Sequence, residues 1–349
     1  MLVKIQGSEQ MTQQIYFEYD NESLPLGQGG MGKVYLGRCV SVLNGAYTPV
    51  AVKFIANNTD ELIDRAKQEA SVQIDHPNLM RMWGFIPNME WDSYSRSSIA
   101  RYYVVMEYLE GVNLDSVLEG NIFSKADLEI PSAREFLEKY HTDKVFATCE
   151  IVRSVLIGVA EMHQYGFVHR DIDPTNVMLT ASGNVKVIDF GISKNLQAEL
   201  EGRNKKLTSC GTIMGKMEYA APEVVTGDTD RHNYTTDVYA LGILIYQLLY
   251  GNVPFTGKLE EIRFAQVNID VPVENITHWG LAQVIKKATQ KDQTNRYQDA
   301  AEMLADFEEK KDLVENPTEE RNLKMPTWVW IVTPIVGIAI GVLIGIILI

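Results

Sequence analysis

The stretch H-R-D-I-D-P-T-N at residues 169–176, followed at 187–191 by V-I-D-F-G, decides how this chain is read. Asp171 stands ahead of Asn176 in a proline-containing loop, and Asp189 ends the apolar run Val185 to Ile188 just before a glycine. A carboxylate in a loop is available as a base. A second carboxylate with an amide oxygen is a hard donor set of the kind Mg²⁺ takes when it shares its site with phosphates, so Asp171 reads as a base and Asp189 and Asn176 as metal ligands.

Upstream, G-Q-G-G-M-G-K-V at 27–34 puts Gly27, Gly29 and Gly32 in G-x-G-x-x-G spacing. Glycines let a backbone approach phosphates because no Cβ stands in the way. Val34-Tyr35-Leu36-Gly37 continues as a strand, which favours a flap between two antiparallel strands over the helix N-terminus of a dinucleotide fold. V-A-V-K at 50–53 then places Lys53 on the third strand, an ammonium for the α- and β-phosphates of a nucleotide.

The 349 residues are 46% hydrophobic and 22% charged, which supports a sizeable core and excludes whole-chain disorder. With 32 basic against 46 acidic side chains the net charge is -14, and no basic block breaks it, so no nucleic-acid partner is expected. Cys39, Cys149 and Cys210 lack C-x-x-C spacing, which argues against a disulfide framework or a cysteine zinc site.

Strand patterns dominate residues 15 to 110: Val34 to Val42 and Val50 to Ile55 are joined through the hairpin signal Asn44-Gly45, and Tyr102 to Tyr108 is a further strand. A helix is expected over Leu62 to Ile74. Beyond residue 112, helical spacing covers Val145 to His163, Thr236 to Leu249, Leu281 to Lys287 and Ala300 to Glu309. The fold class is therefore α+β, a β-rich lobe followed by an α-rich one.

Trp328 to Ile349 carries no charge and as a helix spans roughly 33 Å, against a hydrocarbon core of about 30 Å. Trp328 and Trp330 suit the interface, and Arg321 and Lys324 precede them on the side expected to stay cytoplasmic. No signal-peptide pattern opens the chain, so a C-terminal membrane anchor with a cytoplasmic body is expected. Gly337, Gly341 and Gly345 form a small-residue stripe on that helix, a route to a homodimer.

With A-P-E at 221–223 these motifs stand in one order, and the chain resembles the protein kinase family over about residues 20 to 312. The bacterial serine/threonine branch is suggested by the D-I-D-P-T-N loop and the terminal anchor. The resemblance implies a two-lobed catalytic domain over 15–313, with an N-lobe at 15–108 and a C-lobe at 109–313, then a linker at 314–327 and a transmembrane helix at 328–349. It implies ATP as co-substrate with Mg²⁺, or Mn²⁺ in its place, and transfer of the γ-phosphate to protein hydroxyls, including the chain's own. Val34 and Ala51 would lie against the adenine, Glu107 and Leu109 would form the hinge after Met106, and Met178 would sit below the ring. Lys53 would grip the phosphates, Asp171 would take the substrate proton, and Asp189 and Asn176 would hold the metal. Asp237 and Arg296 match two structural anchors, with Arg296 paired to Glu223.

Two positions depart from the family. Asp173 stands where serine/threonine kinases usually have a lysine for the γ-phosphate, and Lys216 stands where a threonine commonly sits. A charge exchange between Asp173 and Lys216 is one reading; the other makes Asp173 a local backbone cap. Glu69 is the expected partner of Lys53, with Glu61 as fallback, because Glu69 lies two residues nearer His76-Pro77-Asn78 than the family spacing. Thr208, Ser209 and Thr212 are candidate phosphosites in a loop that Arg170 would contact once phosphorylated. Residues 88–101 and 120–144 read as insertions suited to docking. The rival readings are a pseudokinase scaffold, motivated by Asp173, and a small-molecule kinase; protein substrates are not identified by sequence.

Overall fold

A computed structural model describes residues 1–29, 32–56, 59–92, 96–189, 194–195, 217–228 and 231–315. Lys216, Thr208, Ser209, Thr212 and Cys210 lie outside the described residues, as does 328–349 with Gly337, Gly341 and Gly345. Among the described residues no helix is long and apolar enough to cross a membrane.

The N-terminal lobe is built from β1 (Leu2–Ile5), α1 (Ser8–Thr12), β2 (Ile15–Asp20), β3 (Gly27–Gly29), β4 (Gly32–Ser41), β5 (Tyr47–Ile55), α2 (Asp60–Ser71), β6 (Met82–Asp92) and β7 (Ser97–Glu107). All pairings are antiparallel, in the order β1-β2-β4-β5-β7-β6 with β3 on β4. Gly45 takes φ 69° in the turn between β4 and β5, the positive φ that the Asn-Gly signal anticipates. Within 88–101, residues 88–92 and 97–101 pair as the outer part of the β6–β7 ladder.

Period-two alternation gives this sheet two buried faces. On β5, Val50 and Val52 join Ile5, Phe17, Tyr35, Ile86 and Tyr103 in one cluster, while Ala51 and Ile55 face α2 and the main core. Lys53 shares the parity of Ala51 and Ile55, which directs its stem toward α2. The segment Met1–Gln14, which composition left without an element, contributes Ile5 to the first cluster. The Asn88 side-chain amide donates to the Lys4 carbonyl at 3.2 Å, drawing the two edge strands together.

The C-terminal lobe begins with β8 (Gly111–Asn113), α3 (Leu114–Leu118), α4 (Pro131–Thr142), α5 (Lys144–Gln164) and β9 (Phe167–Val168). It continues through β10 (Val177–Thr180), β11 (Val185–Val187) and β12 (Lys194–Asn195). Among the described residues the α-helices that follow are α6 (Pro222–Val225), α7 (Tyr234–Tyr250), α8 (Leu259–Asn268), α9 (Trp279–Ala288) and α10 (Ala300–Lys310). Helix α7 is apolar on nearly all sides and fills the lobe, as a helix without a polar face must. Asn233 caps its start, and Gly251 at φ 97° ends it in the left-handed conformation. Strands β8, β10 and β11 form a small sheet at the front of the lobe. A side chain at Gly111 would place its Cβ 2.5 Å from the Leu179 carbonyl, so only glycine lets β8 lie on β10.

Glu223 and Arg296 meet in the core: Nη1 and Nη2 donate to Oε1 and Oε2 at 2.9 and 3.0 Å, with the two side chains 2% and 0% exposed. Burial opposes ionisation of Glu223, but Arg296 outweighs it and holds the carboxyl below its ordinary value. Arg296→Met strands the carboxylate, and about 3–5 kcal/mol of unfolding free energy is expected to be lost. Adding Glu223→Gln should recover part of it. Urea titrations of the three variants test this; an unchanged midpoint in Arg296→Met would refute it.

Candidate active site

The loop that carries Asp171 is held by a carboxylate it does not contain. Asp237, at the start of α7 and fully buried, accepts the backbone N–H of His169 at 2.8 Å and of Arg170 at 2.7 Å, and the His163 Nε2–H at 3.0 Å. Burial opposes its ionisation, but His163, His169 and the Arg170 amide together hold it below the usual carboxylate range. His163 is itself fixed, its Nδ1 accepting the Ala300 N–H at 3.1 Å from the start of α10.

Within the loop, the Asn176 amide donates to the Asp171 carbonyl at 2.8 Å and to its Oδ2 at 3.2 Å. His169 Nδ1 accepts the Asp171 N–H at 3.3 Å, which leaves Nε2 as the donor to the Ile188 carbonyl at 3.0 Å. The Ile188 N–H donates to the Asn176 carbonyl at 2.9 Å. These bonds bring Asp171, Asn176 and Asp189 to one place although the sequence separates them. Arg170 and Asp189 both adopt left-handed backbone, φ 69° and 64°, a conformation that non-glycine residues keep only where surrounding bonds enforce it.

Lys53 Nζ donates to Glu69 Oε1 and Oε2 at 3.0 and 2.7 Å. Glu69 is 2% exposed, and burial pushes its carboxyl up, Lys53 opposing the rise and Asp189 adding to it. Asp189 therefore lies near the ion pair, linking α2 to the loop after β11. The spacing anomaly also has a physical account: α2 ends at Ser71 and a non-helical stretch leads to His76-Pro77-Asn78, so the shortening falls after Glu69 and leaves its helical phase intact.

Gly27 and Gly29 pair with Val34 and Gly32 across the β3–β4 turn. Gly32 has φ 155°, and a Cβ there would lie 1.8 Å from the Phe54 carbonyl. Val34 stands opposite Lys53 in the β4–β5 register, and Ala51 opposite Met106 on β7. Glu107 ends β7 and Leu109 packs on the main core beyond it. Met178 pairs with Asn113 and Lys186 in the small sheet, its Cγ 3.1 Å from where a Cβ on Gly111 would be.

Asp173 turns inward. Its Oδ1 accepts the Thr175 N–H at 2.7 Å and the Thr175 hydroxyl, capping the turn Pro174–Asn176. Two lysines went unremarked in sequence. Lys186, in the run V-K-V, is buried and donates to the Leu79 carbonyl at 2.9 Å and to Glu107 Oε2 at 3.0 Å, so the Glu107 carboxylate points back into the C-lobe. A charge inside an apolar strand was the available signal. Lys125, from the 120–144 region, donates to the Leu26 carbonyl at the base of the glycine flap; nothing in its neighbourhood in sequence marks it.

Comparison with known proteins agrees with this geometry. The family model described as protein kinase domain matches residues 21–310. The chain is 29% identical over 290 residues to serine/threonine-protein kinase PrkC of Bacillus subtilis, covering 81% of this chain and 39% of the relative. It is 29% identical over 289 residues to the probable serine/threonine-protein kinase PknB of Lactococcus lactis, covering 80% and 40%. To serine/threonine-protein kinase PknB of Mycobacterium tuberculosis it is 29% identical over 294 residues, covering 81% and 41%. The chain thus spans about two fifths of the length of these curated relatives. With a family model matched along most of its length and the cleft residues gathered as described, the chain belongs to the protein kinase family.

Proposed function

We propose that the chain is a serine/threonine protein kinase that transfers the γ-phosphate of ATP to hydroxyls of protein substrates, its own loop included. The observation that carries the reading is the Lys53–Glu69 pair at 2.7 Å beside Asp189, with Asn176 holding Asp171 across the same cleft. In this reading Lys53, aimed by Glu69, binds the α- and β-phosphates under the Gly27–Gly32 flap. Asp171 orients the acceptor hydroxyl and takes its proton as the oxygen attacks the γ-phosphorus and the bond to ADP breaks. Positioning and charge neutralisation suffice for this chemistry, so no nucleophilic side chain is required.

The donor set fits magnesium. Asn176 commits its NH₂ to Asp171, which leaves Oδ1 as its ligand atom, and the Asp189 carboxylate supplies the second hard oxygen. Bound there, the cation would neutralise charge on the phosphates. Asp173 serves this scheme as a cap, and the positive charge it replaces is assigned to Lys216. Self-phosphorylation is assigned to Thr208, Ser209 or Thr212, whose phosphate Arg170 would receive. Residues 328–349 are proposed to anchor the chain, through the linker 314–327, with the kinase domain cytoplasmic; the uncharged run of that segment supports this.

Incubation of the full chain with labelled Mg-ATP is expected to label its hydroxyls. Asp171→Asn should lower the rate about 10²- to 10⁴-fold, with ATP affinity retained; label that survives this change would sink the reading.

The pH dependence has a definite sign. Because the Glu69 carboxyl is raised, it takes up a proton on acidification before an ordinary glutamate would, and Lys53 then loses its charged partner. kcat/KM for ATP is expected to fall at a pH above the usual glutamate value of about 4.3. Glu69→Gln should lower the plateau and flatten this acid limb; a limb unchanged in that variant would assign it to another group.

A further inference from the structure

A chain of hydrogen bonds runs through the C-lobe to the turn ahead of Ala221. Lys291 Nζ, in the loop between α9 and α10, donates to the Tyr239 hydroxyl at 2.9 Å. That hydroxyl donates to Gln266 Oε1 at 2.6 Å, joining α7 to α8. Gln266 Nε2 donates to the Met217 carbonyl at 3.1 Å and to the Glu218 carbonyl. Tyr239 and Gln266 are both fully buried.

Every donor in the series points the same way. The Lys291 ammonium can only donate, so Tyr239 accepts from it and gives its own proton to Gln266, which fixes the amide with its NH₂ toward the two carbonyls. Aligned bonds of this kind polarise and strengthen one another where the dielectric is low.

The far end of the series is the turn Met217–Tyr219, ahead of Ala221-Pro222-Glu223. Tyr219 sits near Asp173 of the catalytic loop and Asp115 of α3; burial first, then the charge of these carboxylates, raises its hydroxyl pKa. Its hydroxyl donates to Gln247 Oε1 at 2.5 Å. The turn therefore lies beside the loop that carries Asp171.

We propose that Gln266, with Tyr239 and Lys291 behind it, is a positioning residue that sets the height of Met217–Tyr219 for the incoming protein segment. The proposal depends on the kinase reading for what the turn receives. The relay touches neither nucleotide nor acceptor, so its loss should act on acceptor binding and spare the nucleotide.

Gln266→Met keeps the side-chain length and removes the donor; Tyr239→Phe keeps the ring and cuts the relay at its centre. The full chain, purified in detergent, is assayed by amide hydrogen exchange and by phosphorylation of dephosphorylated casein. In both variants, amides of residues 217–220 are expected to exchange about five- to tenfold faster, the factor one net hydrogen bond commands, with α7 and α9 unchanged. KM for casein should rise while kcat and KM for ATP stay within about twofold, a split that general destabilisation does not produce. Exchange at 217–220 equal to that of the unsubstituted chain overturns the proposal, as does a KM for ATP that rises in step with the KM for casein. If the unsubstituted chain neither binds ATP nor labels casein, the kinase reading fails, and the exchange rates alone still decide whether the relay holds the turn.

Discussion

The carboxylate of Asp237 is the constraint on which the geometry of the Asp171 loop rests. Its three donors come from two parts of the chain, His163 on α5 and the amides of His169 and Arg170 in the loop, and His163 is in turn fixed from α10. A buried anion is unfavourable unless donors surround it, and here those donors are the backbone of the segment that must be shaped. Arg170 at φ 69° stores strain of about 1–3 kcal/mol, which the amide bond to Asp237 offsets. Position follows from that exchange: the strained residue immediately precedes Asp171.

From this anchor the order passes outward by short bonds. His169 reaches Ile188, Ile188 reaches Asn176, and Asn176 reaches Asp171, so that Asp189 is set by the same network. The N-lobe contributes through the alternation of β5, which turns Ala51, Lys53 and Ile55 to the α2 side. A buried pair such as Lys53–Glu69 adds little to stability once both charges are desolvated, because the Coulombic gain mainly repays the loss of water. Its consequence is directional: a lysine tethered at both carboxylate oxygens presents its ammonium at one place.

The two local motifs were legible in sequence because their chemistry depends on neighbours a few residues apart. Gly45 announced its hairpin for the same reason. What escaped the sequence depended on distant partners. Ile5, between Lys4 and Gln6, shows no sign of a core place until β2 and Ile86 enclose it. Spacing alone left Glu69 in doubt, since a count of residues does not say where a helix stops. Asp173 carries two readings in sequence; its bond to Thr175 is a local cap, and Lys216, the partner in the other reading, lies outside the described residues. Nothing in the local sequence singles out Gln266; the approach of α7 and of the turn at Met217 makes it interior.

The loop between α9 and α10 shows how a polar core specifies geometry. Arg296 donates to the carbonyls of Gln290 and Lys291 and also holds Glu223, so one guanidinium fixes both the loop and the end of the segment that follows the turn. Its Cζ lies 5.0 Å from the Tyr239 ring centre, and Lys291 Nζ lies 5.2 Å from the same point, two cations beside one aromatic. Burial first, with Asp270 opposing and the charge of Arg296 adding to it, lowers the Lys291 pKa to about 8. Apolar side chains of equal volume would fill this region without that tension. They would not, however, distinguish one height of the 217–223 segment from another, because hydrophobic contact is nondirectional. A carboxylate gripped by a fork at one end and two carbonyls met by an amide at the other hold the backbone between them through directional bonds, which fix its position as apolar contact does not.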